Sequence, residues 1–215
     1  NGITAIIEKD STHMWIGTST GLYLLEKATG KYTYIQMPVE SYYIYSLCQA
    51  SDGMLYIGTN NAGLLVYDTT KNTFRHYHRD NCALISNNIY TLLSDGKGNI
   101  FLSTEHGLST FYPVEETFHN WTKEQGLKSD HFNAASGTLR KNGNFIFGST
   151  DGAIEFNKDM ILPRDYKFKM VFSDLRVFYQ TVYPKDEGSP LILDIDETKT
   201  LRLKYNQNIF SLQVS

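Results

Sequence analysis

The chain has 215 residues, 41% of them hydrophobic and 20% charged, with a formal net charge of −3. That balance argues against a polybasic nucleic-acid or membrane-surface binder, and no run approaches the roughly 18–20 apolar residues of a membrane-spanning helix. Fifteen Tyr, 12 Phe and 16 Gly against only 5 Pro, with few strong helix signals, point to an all-β fold.

The chain opens Asn1-Gly2-Ile3, without an initiating Met or a charged, apolar leader. It stops inside the alternating run Phe210-Ser211-Leu212-Gln213-Val214. Both ends read as cuts in a longer protein. Between them a unit repeats. It appears as Trp15-Ile16-Gly17-Thr18 with Gly21-Leu22, then as Tyr56-Ile57-Gly58-Thr59 with Gly63-Leu64. The third version is Phe101-Leu102-Ser103-Thr104 with Gly107-Leu108, and the fourth is Phe147-Gly148-Ser149-Thr150 with Gly152-Ala153. Gly21, Gly63, Gly107 and Gly152 are 42, 44 and 45 residues apart. A β-rich repeat of about 40–50 residues has the period of a propeller blade.

Each unit breaks into short strands. In the second, residues 44–49, 55–59, 64–68 and 73–77 read as strands, with Ser51-Asp52-Gly53 as a hairpin turn and 70–72 as another. Similar turn signals recur at 10–12, 96–99 and 141–144. The central strands are apolar on both faces, as in a sheet held between two neighbours. The outer strands 31–34, 73–77 and 117–121 alternate aromatic with polar residues, which predicts a rim of packed rings. The fourth unit shows no clear outer strand, and a charged, Pro-bearing run follows at 158–165. Residues 1–157 are therefore expected to form four propeller repeats of a partial ring, 158–168 a linker, and 169–215 the start of a second β domain. In that last part 167–178 and 201–205 alternate, and 191–195 is apolar.

These motifs resemble the two-component regulator propeller repeat: an aromatic-Ile-Gly-Thr strand, a short loop and Gly-Leu. The run Leu201-Arg202-Leu203-Lys204-Tyr205-Asn206-Gln207-Asn208-Ile209-Phe210 is similar to the opening of the Y-Y-Y domain, an Ig-like β-sandwich that follows such propellers. The resemblance departs from the pattern at Ser103-Thr104 and Gly148-Ser149, and four units do not close a seven-bladed ring. It implies the periplasmic sensor region of a hybrid two-component histidine kinase, as in Bacteroidetes. Such a region binds oligosaccharides or other small ligands and signals to polysaccharide-use genes. The parent would be a membrane-anchored homodimer, and this fragment would contact no nucleic acid directly. A propeller enzyme, either a lyase or a glycoside-cleaving activity, and a protein-interaction scaffold are the alternatives.

Propellers present variable loops on a rigid scaffold. The candidates for ligand contact are Tyr42, Tyr43, Asn60, Asn61, Arg79, Asn87, Asn88, Glu105, His106, Lys128, Asp130 and His131, weighed against the reading that they are ordinary solvated loops. His76, His78 and Asp80 would share one face of an extended strand, but an exposed outer strand explains them without a metal. No nucleophile elbow, phosphate loop or zinc helix motif is present, so no catalytic residue, cofactor or metal is assigned. Cys48 and Cys82 read as two unpaired thiols. Asn120-Trp121-Thr122 fits a glycosylation sequon.

Overall fold

The structure is a computed structural model that describes residues 2–39, 43–157 and 172–214. The chain divides into two compact units, Asn1–Pro163 and Arg164–Ser215. The run read as a linker, 158–168, lies outside the described residues.

Unit 1 holds successive antiparallel sheets, one per repeat. The first is β1 (Ile3–Glu8), β2 (His13–Thr18), β3 (Gly21–Glu26) and β4 (Tyr32–Ile35). The second is β5 (Ile44–Gln49), β6 (Leu55–Thr59), β7 (Leu64–Asp68) and β8 (Thr73–Tyr77). The third is β9 (Ile89–Ser94), β10 (Ile100–Thr104), β11 (Gly107–Tyr112) and β12 (Thr117–Trp121). The fourth has β13 (Phe132–Leu139), β14 (Asn144–Ser149) and β15 (Gly152–Asn157) among the described residues. Every neighbour pair within a blade is a meander of consecutive strands.

The two-sided burial expected of the central strands is explained by where alternate residues go. Leu55 and Ile57 of β6, with Leu65 and Tyr67 of β7, join Trp15, Leu22 and Ile44 in a core between the first two blades. The intervening Tyr56, Leu64 and Val66 join Ile89, Ile100 and Leu102 in the next core. Phe101 then points the other way, to Phe132, Phe145 and Phe147. Period-two alternation thus serves two interfaces at once. The outer-strand rings lie on their cross-strand partners: Tyr67 stacks on Phe74 at 4.3 Å and Phe111 on Phe118 at 4.6 Å.

The glycine of the Ile-Gly-Thr motif belongs to these interfaces. A Cβ on Gly17 would meet Ile44 Cγ2 at 2.7 Å, and one on Gly58 would meet both Ile89 Cγ2 and its carbonyl oxygen at 2.8 Å. The first residues of β5 and β9 therefore rest against a bare backbone in the blade before. Ser103 occupies the corresponding site of the third blade, fully buried and with its hydroxyl unpartnered.

Just after that seated residue each inner strand bulges. Ile3 pairs with Thr18 but Ala5 with Gly17, leaving Thr4 unmatched; Tyr45 and Tyr90 are left unmatched in the same way. In β13 the step is longer, so that residues 133–136 span the place of Gly148 alone, and Ala135 takes φ 52°. The hairpin between the first two strands is capped by a carboxylate or amide. Asp10 accepts from Thr12 Oγ1, Thr12 N and His13 N, which holds its carboxyl well below the usual range. Asp52, Asp95 and Asn142 cap the equivalent turns.

Unit 2 contains β16 (Phe172–Val177), β17 (Gln180–Thr181) and β18 (Phe210–Val214), ordered β17-β16-β18. Leu175, Val177, Leu191 and Ile195 form its core, with Leu201 and Leu203 packed against them. Residues 201–205, expected as a strand, are not one. Their alternation lays leucines on the core while both edges of β16 are already taken by β17 and β18.

Gly58→Ala is expected to destabilise the chain by about 1–3 kcal/mol, because the added methyl is forced onto backbone and an ordered side chain. Ser103→Ala is expected to raise stability by up to about 1 kcal/mol by removing an unpaired buried hydroxyl. Opposite shifts of the denaturant midpoint for the two variants would check both.

Candidate functional site

The predicted loop residues converge on the end of the blades where the second and third strands meet. At each such turn a hydroxyl acts as a clasp. Thr18, Thr59, Thr104 and Ser149 donate to the carbonyl oxygens of Gly21, Gly63, Gly107 and Gly152 at 2.7–2.9 Å. The hydroxyl oxygens of Thr18, Thr59, Thr104 and Ser149 in turn accept the amides of Thr20, Ala62, His106 and Asp151 inside the turn. The clasped glycine has positive φ in every blade, from 79° at Gly63 to 135° at Gly21, a backbone state that favours Gly.

From these turns a chain of hydrogen bonds runs across three blades. Asn60 N donates to Tyr43 O at 2.9 Å, and Gly63 N to Asn87 O at 2.8 Å. The amide of Asn88 is used at both ends: its Oδ1 accepts Asn61 N at 2.8 Å and its Nδ2 donates to Glu105 Oε2 at 2.9 Å. Ser86, itself buried, donates to Glu105 Oε1 at 3.1 Å. His131 Nδ1 donates to Glu105 O at 2.8 Å, and His131 O accepts Thr150 N of the fourth blade at 3.0 Å. His106 Nε2 stands 3.7 Å from Glu105 Oε1.

Tyr43, Asn60, Asn61, Asn87, Asn88, Glu105, His106 and His131 are therefore brought together. Arg79 joins through its backbone N, which donates to Asn87 Oδ1 at 2.9 Å. Asp130 is turned onto its own connection, accepting Lys123 N at 2.6 Å, and Lys128 is exposed on the same segment. Tyr42 lies outside the described residues.

Two residues of this end were not among those predicted. Tyr45 and Tyr90 are the bulge residues of β5 and β9, and their rings meet at 5.2 Å with an interplanar angle of 84°. Tyr43 continues the row, 5.0 Å from Tyr45 at 53°. Burial raises the phenol of Tyr45 above its ordinary range, and the neighbouring Tyr43 and Glu105 add to the effect. Tyr90 is raised by burial, by the charge of Glu105 and by a hydrogen bond to it. Repeat alignment marks both positions, since each is the residue after the seated Ile44 or Ile89.

Other candidates resolve into structural roles. His76 Nε2 donates to Ala62 O at 2.6 Å, and β8 ends at Tyr77, before His78 and Asp80. The sequon amide of Asn120 donates to Ala83 O and its oxygen accepts Ser109 Oγ, each at 2.6 Å. Cys48 and Cys82 are free thiols, and burial pushes Cys48 up to about 11.

A phenol raised by folding contributes stability that is complete below the free value of about 10 and is lost as pH rises through the higher folded value. Absorbance titration should show Tyr45 and Tyr90 ionising above free tyrosine, with that component missing in a Tyr45→Phe, Tyr90→Phe variant.

The two-component regulator propeller family matches residues 38–61, which run through β5 and β6. A histidine kinase of Formosa agariphila is 23% identical over 223 residues, covering 99% of this chain and 16% of that relative. An extracellular domain from B. thetaiotaomicron, described as part of a hybrid two-component system, gives a TM-score of 0.69 at 19% identity, over 99% of this chain and 29% of that one. Virginiamycin B lyase from Staphylococcus aureus gives 0.56 at 16% identity, over 73% and 55%. At these identities the structural likenesses bear on the fold alone, and this chain is a minor part of the first two relatives. Residues 38–61 thus match the two-component regulator propeller repeat.

Proposed function

We propose that the chain is part of the extracytoplasmic sensor region of a hybrid two-component histidine kinase, recognising glycan fragments and signalling to polysaccharide-use genes. The observation that carries this reading is the polar, aromatic blade end on a chain that bears the regulator propeller repeat. Amides, a carboxylate and imidazoles are held by a continuous hydrogen-bond chain beside a row of tyrosine rings, a composition suited to hydroxyl-rich ligands. The kinase relative and the extracellular neighbour support the setting. In the parent, the ligand acts by favouring one arrangement of domains over another. Unit 2 stands where the resemblance places the start of a Y-Y-Y domain. No helix among the described residues is long and apolar enough to cross a membrane, so the anchor of the proposed parent belongs elsewhere in it.

The lyase likeness keeps a catalytic alternative in view, and one experiment separates the two. Calorimetric titration of the chain with a panel of glycan fragments, followed by chromatography of the mixtures, is expected to show saturable binding with the glycans unchanged. Accumulating cleavage products would replace the sensor with an enzyme, and binding of none of the panel would remove glycan recognition.

A further inference from the structure

The inner-strand bulges repeat at one structural position, yet their occupants differ. Thr4 holds it in the first blade, Tyr45 in the second and Tyr90 in the third, while the fourth widens it to several residues beginning at Asn133. A bulge releases its residue from the ladder and re-aims the side chain. The first blade fills the position with Thr4, whereas Tyr90 also packs its ring against the Phe101–Phe145 core. Two adjacent blades carry tyrosine at it, the rings in contact with each other and with Tyr43.

Beside this row stands Glu105. Its two oxygens accept Ser86 and Asn88, and Tyr90 adds a further hydrogen bond, which leaves about one of a carboxylate's four acceptor positions open. Its side chain is 36% exposed. An aromatic face is negative in the sense of its quadrupole and receives the C–H side of a sugar ring. The carboxylate takes hydroxyl protons. An acidic sugar would set its own negative charge against both.

Building on the glycan-sensing reading above, we propose that Tyr43, Tyr45 and Tyr90 form a stacking subsite for a neutral pyranose, with Glu105 accepting its hydroxyls. Uronic and sulfated sugars are disfavoured there. The bulge tyrosines are the specificity-determining residues, and the amides of Asn60, Asn61 and Asn88 hold the frame.

The test uses the whole 215-residue chain and two sets of probes. One set is neutral, comprising xylo-, manno-, galacto- and cello-oligosaccharides. The other is acidic, comprising oligogalacturonate and heparin-derived fragments. The best ligand is expected among the neutral probes, with acidic probes of equal length at least about tenfold weaker. Tyr45→Leu and Tyr90→Leu, which keep apolar bulk so that folding is retained, should each weaken that ligand at least about tenfold, and Tyr90→Phe by less than about threefold. Glu105→Gln should weaken it while narrowing the gap to the acidic probes. Unchanged affinity in both leucine variants would overturn the subsite and leave glycan sensing standing. A best ligand from the acidic set would overturn the neutral class. Failure of every probe would remove the glycan reading, and the subsite with it.

Discussion

One recurring contact joins the first three blades: the residues that open β5 and β9 rest on places where the preceding blade has no side chain. Ile44 on Gly17 and Ile89 on Gly58 bring backbones close enough that a methyl group would collide. The contact sets the spacing between blades, and with it the depth to which Trp15, Tyr56 and Phe101 are buried. The third blade departs from the rule in a correlated way. Ser103 replaces the glycine, Phe132 opens the next inner strand, and the bulge that follows widens from one residue to several. The innermost strand therefore changes character at the fourth blade.

The functional end depends on the same geometry. A seated isoleucine leaves the next residue out of register, and that residue becomes the bulge at which Tyr45 and Tyr90 stand. One strand position thus serves packing and its neighbour serves the surface. The turn clasps complete the arrangement, since each Thr or Ser hydroxyl donates to a glycine carbonyl and accepts a turn amide. Polar loop residues then bond to one another across blades, which makes the surface an extension of the scaffold.

Much of this was legible in the sequence. The spacing of Gly21, Gly63, Gly107 and Gly152 marked the blades because each glycine must adopt a positive φ beneath its clasp. Asp10 and Asp52 marked their hairpins because their carboxylates accept turn amides. Tyr45 and Tyr90 escaped because a bulge shifts register by one residue, and simple alternation assigns them to a sheet face. Residues 201–205 misled for the opposite reason: alternation shows that one side is apolar, and a strand also needs a free partner edge. Asn87 and Asn88 were chosen as ligand contacts by residue type, but most of their amide capacity is spent on holding the connections. Asn120 illustrates the same limit, as its sequon nitrogen is engaged by a backbone carbonyl.

The hydrogen-bond chain from Asn60 to Thr150 has a consequence for how anything is bound at this end. Side chains already immobilised by Ser86, Asn88 and their neighbours surrender little conformational entropy when a ligand arrives. A small number of contacts then suffices for measurable affinity, and the free surface is already close to the shape of the occupied one. A ligand held there would shift the surface as a body, because its loops have little slack in which to absorb the event.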